Sequence, residues 1–319
     1  MSPLQRSSPL VSLLLGVTLV VAGCGPEGPP TPRAELDSAT VRWVPWDTNS
    51  QAEELLARLF TEEHAQIDFA RINQAAGTEQ YLSETPPPDL INVDAGTTLN
   101  ALSRQAQVAD LTELWTESGL MEHVPAGLRQ LTAYQDRQFY VPVGVGWKAI
   151  YYNKQIFANY NLTPPNTWEE FLAICDTLLA NGEVPLAISG NDSFPIFSWF
   201  EYLNLRMNGA EFYRNLLLGK ERYDDPRVRR VLETWSGLFQ SGYFIEKPNT
   251  LGDLASMTAI IRGDNGMLGR QRAVMVLANT YMYGQMPAAF QNEVDFFRFP
   301  TMDSSIPAAE VVEPFGYVV

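Results

Sequence analysis

The stretch Tyr140 to Gly182 reads YVPVGVGWKAIYYNKQIFANYNLTPPNTWEEFLAICDTLLANG. From Val141 to Tyr152 it is an apolar run interrupted by Gly144 and Gly146. That pattern predicts a buried strand with a close approach of another part of the chain at the glycines. Asn153-Lys154-Gln155 predicts a short turn segment, and an Asn-rich stretch with Thr163-Pro164-Pro165 predicts a loop. A helix then has a clear start: Thr167 and Glu170 form a T-x-x-E capping box, in which each side chain satisfies a backbone donor that the helix leaves open. Trp168, Phe171, Leu172, Cys175, Leu178 and Leu179 recur at helical spacing and make one apolar stripe. Gly182 supplies the left-handed stop.

At 319 residues the chain exceeds one ordinary core, so two domains are expected. With 45% hydrophobic and 18% charged residues it has the composition of a soluble globular protein. A net charge of −15 disfavours nucleic acid as a partner, because the phosphates would be repelled. It also requires a local basic pocket for any strongly anionic ligand; solubility outside the cell is the plainer meaning of the acidity. Two cysteines make no disulfide framework. Cys175, on the helix stripe, reads as a small buried hydrophobe.

Residues 1–23 read as a leader: Arg6 in the n-region, then the apolar run Leu10 to Val21, too short to span a bilayer. Residues 24–39, rich in Pro, Gly and charge, read as a tether that buries no core. Val41 to Trp46 predicts a strand, Asp47-Thr48-Asn49 a loop, and Ser50 with Glu53 a second capping box. Ala52, Leu55, Leu56, Leu59 and Phe60 then line one helix face. Gln66 to Ile72 predicts a second strand, parallel to the first by a right-handed crossover, and Leu90 to Val93 a third. Asp94-Ala95-Gly96 therefore lies at a strand's carboxyl end, where open α/β sheets bind ligands. Further on, Pro185 to Ile188 predicts a strand and Ser193 to Leu205 is aromatic-rich. Pro226 opens a helix with the stripe Val228, Val231, Leu232, Trp235, Leu238 and Phe239, closed by Gly242. Ala273 to Ala278 and Val294 to Phe299 predict the last strands.

Taken in order, the Pro-Val strand, the Tyr-Tyr-Asn-Lys turn (Tyr151 to Lys154) and the Pro-Pro-x-Thr-Trp-x-Glu-Phe helix start (Pro164 to Phe171) resemble the signature segment of bacterial extracellular solute-binding proteins of the sugar-binding type, the capture components of ABC importers. The resemblance runs from about Val41 onward; Ala109 to Leu114 and Phe296 to Pro300 are similar to further family elements. Val21-Ala22-Gly23-Cys24 resembles a bacterial lipobox, which implies a lipidated Cys24 as membrane anchor. The implied fold is α/β, a two-lobed periplasmic-binding-protein fold of type II with a hinge between lobes. Residues 40–143 with the returning segment 294–319 form lobe 1 and residues 144–293 form lobe 2. Family members continue past Val319, so the fold is expected to be truncated at the C-terminus.

A sugar needs planar polar groups for its hydroxyls and an aromatic face for its C–H surface. Near the expected cleft the candidates are Trp46 and Asp47 after the first strand, Asp94 after the third, Gly144 and Trp147 in the crossover, Trp199 in the aromatic-rich segment, and Asn279 and Tyr281 after Ala273 to Ala278. In relatives a tryptophan that stacks on sugar follows a similar strand, which gives Tyr281 that place by resemblance. For any single ring, core packing is the competing role. Adjacent tyrosines such as Tyr151 and Tyr152 ligate iron in some relatives, but successive strand residues point to opposite faces, which favours a structural role here. His64 and His123 have no hydrolase motif around them, no Gly-rich phosphate loop is present, and Glu53-Glu54, Glu62-Glu63 and Glu169-Glu170 read as helix faces and caps. The expectation is a monomeric, extracytoplasmic receptor rather than an enzyme, without metal or cofactor. Its partners would be a sugar, the permease subunits of an ABC importer and, through Cys24, the membrane. Glycerol phosphate or a polyamine is the alternative ligand, and an extracellular hydrolase the rival class.

Overall fold

The computed structural model describes residues 38–45, 51–72, 77–191, 193–246, 273–286 and 288–319. The expected leader, most of the tether with Cys24, and Trp46, Asp47 and Ser50 lie outside them.

The chain begins with β1 (Ala39–Val44), α1 (Gln51–Glu63) and β2 (Ile67–Arg71), followed by α2 (Thr78–Leu82), β3 (Leu90–Asp94) and α3 (Thr97–Arg104). β1 pairs in parallel with both β2 and β3, the crossover arrangement that the strand–helix–strand pattern predicts. Three short helices, α4 (Thr112–Glu117), α5 (Leu120–His123) and α6 (Ala126–Leu131), lead to a small hairpin of β4 (Ala133–Tyr134) and β5 (Arg137–Gln138). Then comes the 13-residue strand β6 (Val141–Asn153), which the apolar run with two glycines foretells. After it lie α7 (Lys154–Asn159), α8 (Trp168–Ala180), β7 (Val184–Ala187), α9 (Ser193–Met207), α10 (Gly209–Leu217), α11 (Pro226–Gln240), β8 (Ala273–Asn279), β9 (Val294–Phe297) and β10 (Val312–Val318). Thr167 and Glu170 make both bonds of the capping box of α8, an arrangement in which a capping side chain contributes about 1 kcal/mol. Asp225 caps α11 through Arg227 N–H, with Pro226 in the first turn.

The strands run β2-β1-β3-β10-β6-β8-β7, with β9 also on β6. β6 serves two partner sets in succession. Its first half, Val141 to Trp147, pairs with β10, which pairs on its other side with β3. Its second half, from Lys148, pairs with β8 on one edge and, from Ile150, with β9 on the other. The seam at Trp147/Lys148 thus joins two sub-sheets. Val294 to Phe297 stays with the second of these, so the segment expected to return over 294–319 reaches the first sub-sheet only at β10.

Each half has its own core. Val44, Ile91, Val93, Leu99, Tyr140 and Val318 close the first. In the second, alternation along β6 sends Ile150 and Tyr152 to one face with Phe171, Cys175, Leu178 and Trp199, and Ala149 and Tyr151 to the other with Val276 and Met282. The two tyrosines therefore pack apart, and burial pushes the Cys175 thiol well above its usual range. On α1 the expected stripe differs: Leu55, Leu56, Leu59 and Phe60 are 41–58% exposed, although Phe60 meets the edge of Phe69 at 5.7 Å. Glu53, read as a cap, is buried and accepts a hydrogen bond from Tyr317 Oη. Leu179, Leu232 and Phe239, placed on apolar stripes by spacing, are exposed at the stripe margins.

Glycines admit the close approaches at the crossover. A Cβ on Gly144 would overlap the Phe315 ring, and one on Gly146 would lie 2.5 Å from Asn279 Oδ1. At the seam Lys148, 1% exposed, sets Nζ 2.7 Å from Glu201 Oε2 on α9 and 2.8 Å from Glu313 Oε1 on β10. Tyr213 Oη donates to Glu201 Oε1 at 2.9 Å, and Tyr202 Oη to the Lys148 carbonyl at 3.1 Å.

Two outcomes follow for stability. Gly316→Ala would drive a Cβ into the Val141 carbonyl oxygen and onto the Pro142 Cα; backbone cannot swing aside, so the urea midpoint is expected to fall by the equivalent of about 2 kcal/mol or more. An unchanged midpoint would mean that β10 does not lie against β6 as described. Lys148→Met leaves two carboxylates facing each other without their cation. Because both keep some access to water, the expected loss is about 2–3 kcal/mol, below the range for a fully buried pair, and a variant as stable as the parent would show that the ion triad does not form.

Candidate functional site at the seam

The parallel strands of both sub-sheets present their carboxyl ends to the seam. β3 ends at Asp94, in register with Phe315, which in turn faces Gly144. β8 ends at Asn279, in register with Lys148. In open α/β sheets the carboxyl edge is where loops and helix N-termini converge on a ligand. A cleft of about 280 Å³ opens there, lined by Asp94, Ala95, Leu131, Val312, Glu313 and Pro314.

The residues singled out in the sequence fall into distinct places. Asp94 is exposed in the cleft wall, and among the described residues it makes no ion pair. Its negative charge, after burial, helps hold the Tyr140 hydroxyl above its usual range. Gly144 lies in the same row, under the Phe315 ring. Asn279 is 3% exposed. Its Nδ2 donates to Glu313 Oε2 at 2.5 Å and its Oδ1 accepts from Tyr281 N at 3.3 Å, capping the helix Thr280–Gln285. It holds the site together from within.

Trp147 and Tyr281 belong to the other face of β6. Both are half-buried and pack on the cluster around Ala149, Tyr151 and Met282. Trp147 meets Phe296 edge-on at 5.5 Å, and its backbone N–H donates to Thr280 Oγ1 at 3.2 Å. The structure therefore groups Asp94, Gly144 and Asn279 on one side and Trp147 with Tyr281 on the other.

Trp199 is a correction. It is 1% exposed and packs among Phe171, Phe244 and Phe299 at 5.4–6.3 Å. Ser193 to Leu205 is a helix, and Trp199, Tyr202 and Leu203 form its inward stripe, so the ring serves the core. Trp46 and Asp47 lie outside the described residues.

Sequence reading missed Lys148, Glu201 and Glu313. A signal was present: Lys148 stands inside the run Val-Gly-Trp-Lys-Ala-Ile-Tyr-Tyr, and a cation in a buried strand demands a partner. The partners are 53 and 165 positions away, where nothing local marks them. Burial raises the Glu313 carboxyl above the usual carboxylate range, Lys148 and Asn279 pull it down, and Glu201 adds to the rise. His123 Nδ1 lies 2.8 Å from the Gly119 carbonyl oxygen, and the His64 ring is tilted against Phe60 with centroids 4.4 Å apart; neither borders the cleft. Among the described residues no group of three or more His, Cys, Asp or Glu is placed to hold a metal, and no helix is long and apolar enough to cross a membrane.

Comparison with known proteins agrees with this architecture. The family model of the bacterial extracellular solute-binding protein matches residues 46–246. An uncharacterised ABC transporter extracellular-binding protein of Pyrococcus horikoshii is 24% identical over 251 residues, covering 72% of this chain and 56% of its own. The multiple sugar-binding protein of Streptococcus mutans is 22% identical, over 42% of this chain and 35% of its own. The chain thus spans about half, or less, of the length of these curated relatives. Two solved structures share the fold. The solute receptor AcbH, described with an exclusive preference for β-D-galactopyranose, has 21% identity and a TM-score of 0.67 over 89% of this chain and 72% of that one. RafE in complex with raffinose has 18% identity and a TM-score of 0.67 over 87% and 73%. With the two sub-sheets, their seam and a match that covers more than half of its length, the chain belongs to the bacterial extracellular solute-binding protein family.

Proposed function

We propose that the chain is the solute-capturing component of an ABC importer and that it takes a sugar or oligosaccharide between two lobes. The observation that carries this reading is the seam: one strand, β6, passes from one sub-sheet to the other, and the carboxyl ends of β3 and β8 converge where it does so. Residues 40–143 with β10 make one lobe in this reading, and residues 144–293 with β9 the other. Rotation about β6 and β10 would close the cleft, and a solute that makes more contacts in the closed form would shift the balance toward it. The sugars bound by AcbH and RafE support the ligand class.

In the same reading Asp94 accepts from sugar hydroxyls at the cleft. Trp46 and Asp47 join on their sequence position after β1 alone. Cys24 carries the lipid that holds the receptor at the outer surface of the membrane, where the closed form meets the permease. The receptor performs no catalysis and acts as a monomer.

A thermal-shift series with galactose, maltose and raffinose tests the ligand class. At a hundred times its Kd a sugar adds about 2.7 kcal/mol to stability, a clear rise in Tm. The expected result is a rise with at least one of these sugars and a smaller rise in Asp94→Ala, whose side chain lines the cleft. A rise with glycerol 3-phosphate or spermidine and none with any sugar would overturn the reading.

A further inference from the structure

Glu313 sits where the cleft and the seam meet. Its side chain is 31% exposed and lines the cleft beside Asp94. From behind, Lys148 Nζ donates to Oε1 at 2.8 Å and Asn279 Nδ2 to Oε2 at 2.5 Å. Gly146, opposite Glu313 across the β6–β10 pair, leaves the space that the Asn279 amide fills. Each carboxylate oxygen has two acceptor positions, and these two donors occupy one on each. Two positions remain, on a carboxylate whose orientation is fixed by partners on two other strands. Fixed acceptors of this kind lose little freedom when a ligand donates to them, which is why held polar groups discriminate better than mobile ones.

We propose that Glu313 is a ligand-contacting carboxylate of the cleft and that Lys148 is its positioning residue. The inference rests on the sugar-binding reading above and deepens it. Glu313 and Asp94 together present acceptors only, so the ligand group they take is a hydrogen-bond donor: the neighbouring hydroxyls of a neutral sugar. The cation of the site is not available to an anion, since Lys148 is 1% exposed and lies between Glu201 and Glu313. A phosphorylated sugar would bring its charge against two carboxylates. Glu201 anchors Lys148 to α9 and accepts a further hydrogen bond from Tyr213. A shift of β10 relative to α9 changes the geometry around Lys148, so the carboxylate that reads the solute is also tied to the angle between the lobes.

The test uses the full chain and titrations with galactose, maltose and raffinose, read by calorimetry, with the unliganded Tm recorded for each variant. Glu313→Gln keeps the size of the side chain and removes its charge. It is expected to weaken binding of the sugar that the parent takes by about 10-fold or more, the usual effect of losing a charged hydrogen-bond acceptor. Glu313→Asp keeps the charge for Lys148 but withdraws the carboxylate by one methylene; it secures the test if the glutamine variant fails to fold, and the same loss is expected. Lys148→Arg, which retains a cation for both carboxylates, is expected to hold affinity closer to the parent than Lys148→Met does at matched folded fraction. A merely structural role would lower Tm in these variants and leave the affinity of the folded fraction unchanged. Parental affinity in both Glu313 variants overturns the inference while leaving the sugar-binding reading intact. A parent chain that binds none of the sugars overturns that reading and the inference with it, and is told apart because the parent itself is then silent.

Discussion

A lysine in the middle of a buried strand has to be neutralised where it stands, and the way Lys148 is neutralised organises the molecule. An ammonium group out of water is tolerated only with close partners. Here one partner, Glu201, comes from a helix of the second half, and the other, Glu313, from the strand that returns to the first. The same residue marks the point on β6 where pairing passes from β10 to β8. The ion triad is therefore a joint as well as a satisfied charge. The glycines just before it belong to the same design: Gly144 makes room for Phe315 and Gly146 for Asn279, so side chains from both halves can lie across the strand.

What the sequence discloses is what local chemistry dictates. The apolar run with two glycines gives β6 and the reason for its glycines, and Thr167 with Glu170 gives the start of α8. Pro226 after Asp225 gives α11, because a proline lacks the donor that a first turn does not use. The parallel order of the first three strands follows from strand–helix–strand spacing. These features depend on residues within a few positions of one another.

The errors and omissions have the opposite character. Trp199 sits in a run so aromatic that composition suggests a cleft, but its spacing from Tyr202 and Leu203 is that of an inward helical stripe. Asp94 and Asn279 are recognisable as strand-end residues; that Asn279 is buried and bonded to Glu313 depends on how β10 enters between β3 and β6. Glu313 itself stands in a stretch with no motif, and only the sheet order gives it a role. The aromatic candidate Trp147 also shows how strand parity decides a site: one residue along β6 moves a side chain from the Glu313 face to the Met282 face.

The proposed function asks two sub-sheets on one continuous strand, with a charged joint at the seam and a cleft beside it, to close on a small solute. Closure is the central claim, and small-angle X-ray scattering measures it most directly. The full chain would be compared without sugar and with saturating galactose, maltose or raffinose, using whichever calorimetry shows to bind. The claim predicts a fall in the radius of gyration on binding and a pair-distance distribution that loses its longest vectors. Scattering that is unchanged while calorimetry shows the sugar bound would contradict it, because capture would then take place on a rigid pocket rather than between moving lobes.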